Sequence, residues 1–341
     1  MSEWRLLARA GVAGCAIAAA MTFAFGTACA QDKTYVMKIT LPTINDPSHR
    51  FAQAYAAALE KDSGGRIKPQ IFPVSQLGSI PRQIEGTQFG SIQCALIPPE
   101  FFVGVDDRFE VMAAPGLVDT LAHGQRIAND PQVRKLMLGL GANKGLHGVA
   151  MYMNSPSSII AKAPIRHLAD FKGKKIRVLA SPFQMGPIAR LGATPVAMTL
   201  ADVVPALQQG AVDGAVGGIV VWTPMHFADA AKYVTETGQP AVFVMVEINK
   251  AWYESLPADL QRIVDADAAA QQAAIAPVAQ DIVEQARKGW TATGGELISL
   301  PAAEQSEMMK TFAAAVAEAA NAKPALAEAY KLVSDAAKRT Q

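Results

Sequence analysis

From Thr34 onward, stretches with the two-residue alternation of a strand take turns with stretches that have the spacing of an amphipathic helix. This alternation restricts the fold more than any other feature. A strand followed by a helix must cross over to reach its next partner, which argues for an α/β fold with largely parallel sheets. "TYVMKITL" (34–41) reads as a strand. "PSHRFAQAYAAALEKDSGG" reads as a helix with Phe51, Tyr55 and Leu59 on one stripe and Gly64-Gly65 as its stop. "RIKPQIFP" is a second strand, and "LGSIPRQIEGTQFG" is a helix with Ser79 as a candidate N-cap near Pro81. "SIQCALIP" is a third strand. One helix is expected from about Leu121 to Leu140, closed at Gly141, before the strand "LHGVAMYM" (146–153).

After "NSPSSIIAKAPIRHLADFKG" the pattern restarts. "KKIRVLA" is a strand, "GPIARLG" a short helix, "TPVAM" a strand, "LADVVPALQQG" a helix ending at Gly210, and "AVDGAVGG" a short strand and turn. Two successive sets suggest two similar lobes. No low-complexity linker separates them, so the hinge is expected to be made of strands. "AVFVMVEIN" (241–249) is the most continuous apolar run and reads as a buried central strand. Residues 256–290 read as one long helix, broken or kinked at Pro277 and long enough to run along both lobes. The expected division is residues 31–154 with about 243–285 in lobe I, and 155–242 with about 286–341 in lobe II.

The chain has 341 residues, half of them hydrophobic, enough for the cores of two domains. The first thirty differ from the rest. Arg5 and Arg9 precede an apolar run from Ala10 to Phe25, and Ala28-Cys29-Ala30 forms a cleavage site before Gln31. This reads as a secretory signal peptide; a retained anchor, or lipid attachment at Cys15, is the alternative. The chain carries 31 basic and 30 acidic residues, and Arg5, Arg9 and Glu3 fall within the first thirty, so the remainder is electrically balanced. It offers no basic footprint for nucleic acid. Cys94 alone of three cysteines lies beyond the signal; a single thiol makes no intramolecular disulfide and reads as a small buried side chain. No later segment is apolar and long enough to span a bilayer. The expected product is soluble and exported, most simply to a periplasm.

Catalytic and cofactor motifs are missing. The five histidines (His49, His123, His147, His167 and His226) form no HExxH pattern, so neither a metal nor any other cofactor is expected. There is no Walker loop and no G-x-S-x-G elbow. "GLGANKG" (139–145) has the wrong spacing for a dinucleotide loop and reads as a glycine C-cap with a turn. Asp202, Asp213 and Glu247 lack partner spacing for acid/base work and read as solvated or capping carboxylates. Arg177 stands apart. It lies inside a strand, near the turn into the next helix, where open α/β sheets bind ligands, and a guanidinium can grip a carboxylate with two parallel hydrogen bonds. By periodicity alone it shares a face with Lys175 and Leu179, opposite Ile176 and Val178. An ordinary solvent-facing arginine fits that pattern equally well.

The runs "DFKGKKIRV", "LGATPVAMTLADVVPALQQGAVDG" and "INKAWYESLPADLQRIV" occur in the order and spacing found in solute-binding proteins of TRAP transporters, the DctP-type family. "GGRIKPQIFPVSQLGSIPRQIEGTQFGSIQCAL" resembles the same family's first-lobe motif, and the similarity covers nearly all of the chain after the signal. The resemblance implies a two-lobed periplasmic-binding-protein fold, a long helix spanning both lobes, and a cleft that closes on an organic acid. It implies a receptor, not an enzyme, that delivers the acid to the membrane subunits of a TRAP permease. An extracytoplasmic sensor subunit and a secreted α/β enzyme are the alternatives. The family's carboxylate-clamping arginine matches Arg177. Where many members carry a second arginine, this chain has Ser157 or Ser158. Where many carry a ligand-holding asparagine, it has Gly217, which offers no side chain. These exchanges imply a roomier, more apolar pocket and a monocarboxylate with an aromatic or branched body. Phe183, Met185 and Trp222 are the expected walls. Glu85, Gln88 and His49 are the expected polar contacts.

Overall fold

The computed structural model describes residues 33–179 and 181–341; the expected signal peptide and its cleavage site lie outside them. Eleven strands form two sheets among the described residues. The first contains β1 (Tyr35–Thr40), β2 (Ile67–Phe72), β3 (Cys94–Ile97), β4 (Leu146–Ser155) and β10 (Val242–Asn249), in the order β2-β1-β3-β10-β4. The second contains β5 (Ser157–Ala161), β6 (Lys175–Val178), β7 (Thr194–Ala197), β8 (Gly214–Gly218), β9 (Tyr233–Glu236) and β11 (Glu296–Ser299), in the order β11-β9-β5-β8-β6-β7.

The helices are α1 (Pro47–Asp62), α2 (Ile80–Phe89), α3 (Leu121–Asn129), α4 (Pro131–Gly139), α5 (Pro182–Arg190), α6 (Val203–Gln209), α7 (Ile219–Trp222), α8 (Lys250–Glu254), α9 (Ala258–Ala292), α10 (Ala302–Ala320) and α11 (Pro324–Arg339). Their order after the strands produces the crossovers expected of the alternating pattern. Strands β1, β2 and β3 pair in parallel, as do β6, β7 and β8. The sheets are mixed rather than simply parallel. Strand β10 runs antiparallel to both β3 and β4, and β5 runs antiparallel to both β8 and β9. These are the strands that carry the chain between sheets: β4 passes into β5 through Pro156 alone, and β9 returns to β10 through residues 237–241. The connection is therefore made of strand ends, as the missing linker implied.

Helix α9 ties the sheets together a second time. Leu260, Val264, Ala268 and Ile275 pack into the core beside β1 and β3, whereas Ala279, Val283, Ala286 and Trp290 pack into a second core that reaches β8 and β9. Pro277 stands between these two runs inside one continuous helix, so the chain is not broken there. The helix expected over 121–140 is two helices. Pro131 cannot extend α3, and Asp130 starts α4 by accepting from the backbone N–H groups of Gln132 (3.0 Å) and Val133 (3.1 Å). Strands β5 and β9 arise from stretches the periodicity left irregular. Strand β5 is buried along its whole length, so "SSIIA" shows no polar alternation to detect.

Candidate functional site

Strand β6 sorts its side chains by alternation. Ile176 and Val178 enter an apolar core with Phe171 and Ile188, and Arg177 points to the other face. That face is not solvent: Arg177 is only 2% exposed. Its Nε–H donates to the carbonyl of Met198 (3.0 Å), just past β7, and its Nη1 donates to the carbonyl of Val216 on β8 (2.9 Å). A guanidinium has five N–H groups, so these two bonds fix the plane of the fork without using it up. No carboxylate among the described residues lies within ion-pairing distance of it. Burial pulls its pKa down to about 10, opposed by the fields of Glu100 and Asp202. It remains a cation at neutral pH, desolvated and, among the described residues, without a direct ion-pair partner.

Arg177 lines a cavity between the two sheets with about 60 Å³ open to the centre of a water molecule. A water needs on the order of 10–15 Å³ by that measure, so the space admits a small ligand rather than a large one. The second sheet side supplies Arg177, Leu179, Leu200, Gly217, Gly218, Val221 and Trp222. The first supplies Pro42, Thr43, Asp46, Ser48, Ile80, Leu96, Pro98, Phe101, Asn154, Val242 and Val244. The walls are mostly apolar, with Arg177 the only basic side chain among them.

Of the side chains expected from the sequence, Arg177, Gly217 and Trp222 come together here. Trp222 is fully buried; its Nε1–H donates to Ser158 Oγ (2.9 Å), whose hydroxyl donates to the Gly217 carbonyl (3.1 Å), and its ring packs on Phe227 with centroids 4.8 Å apart. A Cβ on Gly217 would sit 2.5 Å from the Trp222 ring. The missing side chain at 217 therefore does not enlarge the pocket, because the indole fills the space it frees. Gly217→Ala should push the ring off β8 and cost roughly 1–3 kcal/mol of stability, measurable by urea unfolding. A neutral Gly217→Ala change would show that the ring yields freely.

The other expected contacts do not line the cavity. Phe183 is buried in the first turn of α5, edge-on to Tyr330 of α11 (5.9 Å between ring centroids), so it serves the core. Met185 lies further along α5, about one third exposed. On α2, Glu85 is paired with Arg82 (2.7 Å) and Gln88 donates to the Lys144 carbonyl (3.0 Å), both at the surface. His49 Nδ1 accepts from the Asn45 N–H (3.2 Å), and burial lowers its pKa, helped by the Arg50 charge. Ser157 is buried on β5 with its hydroxyl unpartnered, outside the cavity. The family resemblance implied that these residues sit on elements near the cleft, but it did not say which face of each element turns toward it.

Two buried carboxylates hold the turn after β6. Glu110 Oε2 accepts from the Ser181 hydroxyl (2.9 Å), which itself caps α5. Glu100 accepts from Gln184 Nε2 (3.2 Å), and Gln184 Oε1 accepts from the Leu179 N–H (3.0 Å). Burial pushes the Glu100 pKa up to about 7 and raises that of Glu110. Among the carboxylates read as solvated or capping, Asp202 accepts from Thr199 Oγ1 (2.6 Å) and Asp213 from the Lys175 N–H (2.8 Å). Glu247 departs from that expectation: it is fully buried on β10 with both oxygens unpartnered, and burial raises its pKa well above the usual range.

Sequence reasoning missed the first-sheet wall. Thr43 and Asp46 belong to the β1–α1 connection, Ser48 to the first turn of α1, and Asn154 is the penultimate residue of β4. "NDPS" carries a helix-start signal, an aspartate before proline. That signal predicts the cap and is silent on what lies opposite it.

The cavity between the sheets has one basic side chain in its wall, and known proteins similar to this chain bear on what such a cavity does. Residues 40–323 match the family model of the bacterial extracellular solute-binding proteins, family 7, called DctP. The protein YiiZ of Salmonella typhimurium is 32% identical over 65% of this chain and 67% of its own length. The 2,3-diketo-L-gulonate-binding periplasmic protein YiaO of Escherichia coli is 28% identical over 64% of this chain and 66% of its own. A crystal structure of a TRAP periplasmic solute binding protein from Desulfovibrio salexigens with bound orotic acid superimposes with a TM-score of 0.86 at 25% identity, covering 90% of this chain and 100% of that one. With the family model spanning both sheets and the cavity between them, the chain belongs to the DctP family of bacterial extracellular solute-binding proteins.

Proposed function

We propose that this protein is the periplasmic receptor of a TRAP-type transporter, which takes up an organic acid between its lobes and presents it to the membrane subunits of the permease. The observation that carries this reading is Arg177: a buried cation held in position by two carbonyls, with no carboxylate among the described residues within ion-pairing distance and only the more distant fields of Glu100 and Asp202 acting on it. Leaving a charge buried and unpaired costs stability, and a bound carboxylate would offset that cost with charge-assisted hydrogen bonds. The apolar character of the remaining walls favours a monocarboxylate with an apolar body, whether branched or aromatic. Orotic acid in the Desulfovibrio protein and the sugar acid named for YiaO mark the breadth of acids that similar proteins take. Closure of the lobes about the β4–β5 and β9–β10 crossings would seal the acid from water.

A thermal-shift panel tests the reading. A ligand present at a hundred times its Kd stabilises the folded state by about 2.7 kcal/mol. Small branched or aromatic monocarboxylates should raise the melting temperature by several degrees, and uncharged amides of the same acids should not. Stabilisation by polyhydroxylated sugar acids alone would refute the apolar-body reading, and stabilisation by acids and amides alike would refute the clamp.

A further inference from the structure

The cavity has a second polar pole that the carboxylate clamp leaves unused. Asp46 is the N-cap of α1, and its Oδ1 accepts from the His49 N–H (2.9 Å). Its other oxygen, Oδ2, is buried and has no hydrogen-bond partner, and the hydroxyl of Thr43 is in the same condition. Both residues line the cavity; Asp46 is 1% exposed and Thr43 7%. The Thr43 and Asn154 side chains lie close enough to Asp46 to temper its ionisation, but neither completes a well-formed bond to Oδ2. Asn154 Oδ1 is already taken by the Ser48 hydroxyl (3.0 Å). Capping accounts for one carboxylate oxygen and leaves the second without a role. Buried acceptors are almost always satisfied, so an orphaned pair on two residues that line the cavity marks a missing donor.

Arg177 reaches the cavity from the second sheet, whereas Asp46 and Thr43 reach it from the first. Leu96, Leu179, Val244 and Trp222 are among the apolar residues that share the lining with them. We infer that the cleft selects an acid bearing a hydrogen-bond-donating group, a hydroxyl or an ammonium, at the end remote from its carboxylate, and that Asp46 and Thr43 receive that group. The inference rests on Arg177 as the carboxylate clamp and adds a polar tip to the apolar body. It also sets an orientation: the acid enters the second lobe carboxylate first, and the donor is engaged when the first lobe closes on it.

Calorimetry with unsubstituted, ω-hydroxy and ω-amino acids of three to six carbons tests it on the intact protein. At the best-fitting length, the hydroxy or amino acid should bind about tenfold more tightly than the plain acid, since a bond to a charged acceptor is worth about 1.5–3 kcal/mol. A gain confined to the ω-amino series identifies an ammonium; a comparable gain in the ω-hydroxy series identifies a hydroxyl. Asp46→Asn keeps a competent N-cap and should shrink the gain, read as the ratio of plain-acid to substituted-acid Kd within the variant, to twofold or less. Thr43→Val, which leaves the cap untouched, should reduce the gain as well. Plain acids that bind as tightly as their substituted partners would overturn the inference while leaving the clamp intact. An undiminished gain in both variants would also overturn it. Failure of every acid in the panel to bind would overturn the clamp reading along with it.

Discussion

Arg177→Met is expected to weaken acid binding by roughly a hundredfold or more, because truncating one partner of a buried charge-assisted pair typically costs 2–5 kcal/mol. The effect should fall on affinity far more than on folding. Among the described residues the guanidinium holds two carbonyls, those of Met198 and Val216. Losing those two bonds destabilises, and removing a desolvated cation stabilises, so the ligand-free variant should stay within about 2 kcal/mol of the parent. Arg177→Lys separates charge from geometry. An ammonium keeps the charge but lacks the planar fork, so it should still lose about tenfold in affinity. Calorimetry with an acid that stabilises the parent protein, beside urea unfolding of all three proteins, measures both sides. Unchanged affinity in Arg177→Met would remove Arg177 from the site.

The second large effect concerns stability and pH. Glu247 lies on β10 between β3 and β4, fully buried, with neither oxygen bonded. Burial raises its pKa well above the usual carboxylate range, so between the unfolded and folded values the folded protein holds this proton while the unfolded chain releases it. The folded state thus binds more protons than the unfolded one above pH 4.5, and its stability falls by about 1.4 kcal/mol per pH unit from this group. Asp46, raised to about 6, and Glu100, raised to about 7, act in the same direction up to those values. Paired surface carboxylates such as Asp259 and Glu296, whose pKa values are lowered by Arg66 and Arg166, lose their contribution only in more acidic solution. The ligand-free protein should therefore melt higher at pH 5 than at pH 7.5. Glu247→Met removes the proton uptake and both orphaned oxygens at little change in length. It should stabilise the fold at pH 7.5 by on the order of 2–4 kcal/mol, and the gain should shrink as the pH falls toward 5. A variant less stable than the parent at pH 7.5, or a gain independent of pH, would show that Glu247 has a partner in solution.

Much of this architecture could be read from local pattern. The stripe of Phe51, Tyr55 and Leu59 was enough to define α1, and the apolar run at 241–249 was enough to define β10 as a buried strand. The alternation around Arg177 correctly separated it from Ile176 and Val178. Local pattern failed where tertiary contact decides. A strand buried throughout, such as β5, carries no alternation, and the direction of β10 and β5 depends on which sheet each returns from. At the site, family resemblance marked Arg177, but the space beside Gly217 is set by a ring five residues further on. Phe183 and Trp222 are both aromatic residues just beyond strand ends, yet one joins the core against Tyr330 and the other walls the cavity. Asp46 shows the reverse case: capping accounts for one of its oxygens, and the second acquires meaning only when the opposite lobe is in place.

The most direct test of the carboxylate clamp is a crystal structure with an acid chosen by the thermal-shift panel. The carboxylate should lie in the inter-sheet cavity with its two oxygens about 2.7–2.9 Å from Arg177 nitrogens, while the bonds to Met198 and Val216 persist. An acid bound with its carboxylate elsewhere, and Arg177 still contacting only those two carbonyls, would contradict the account.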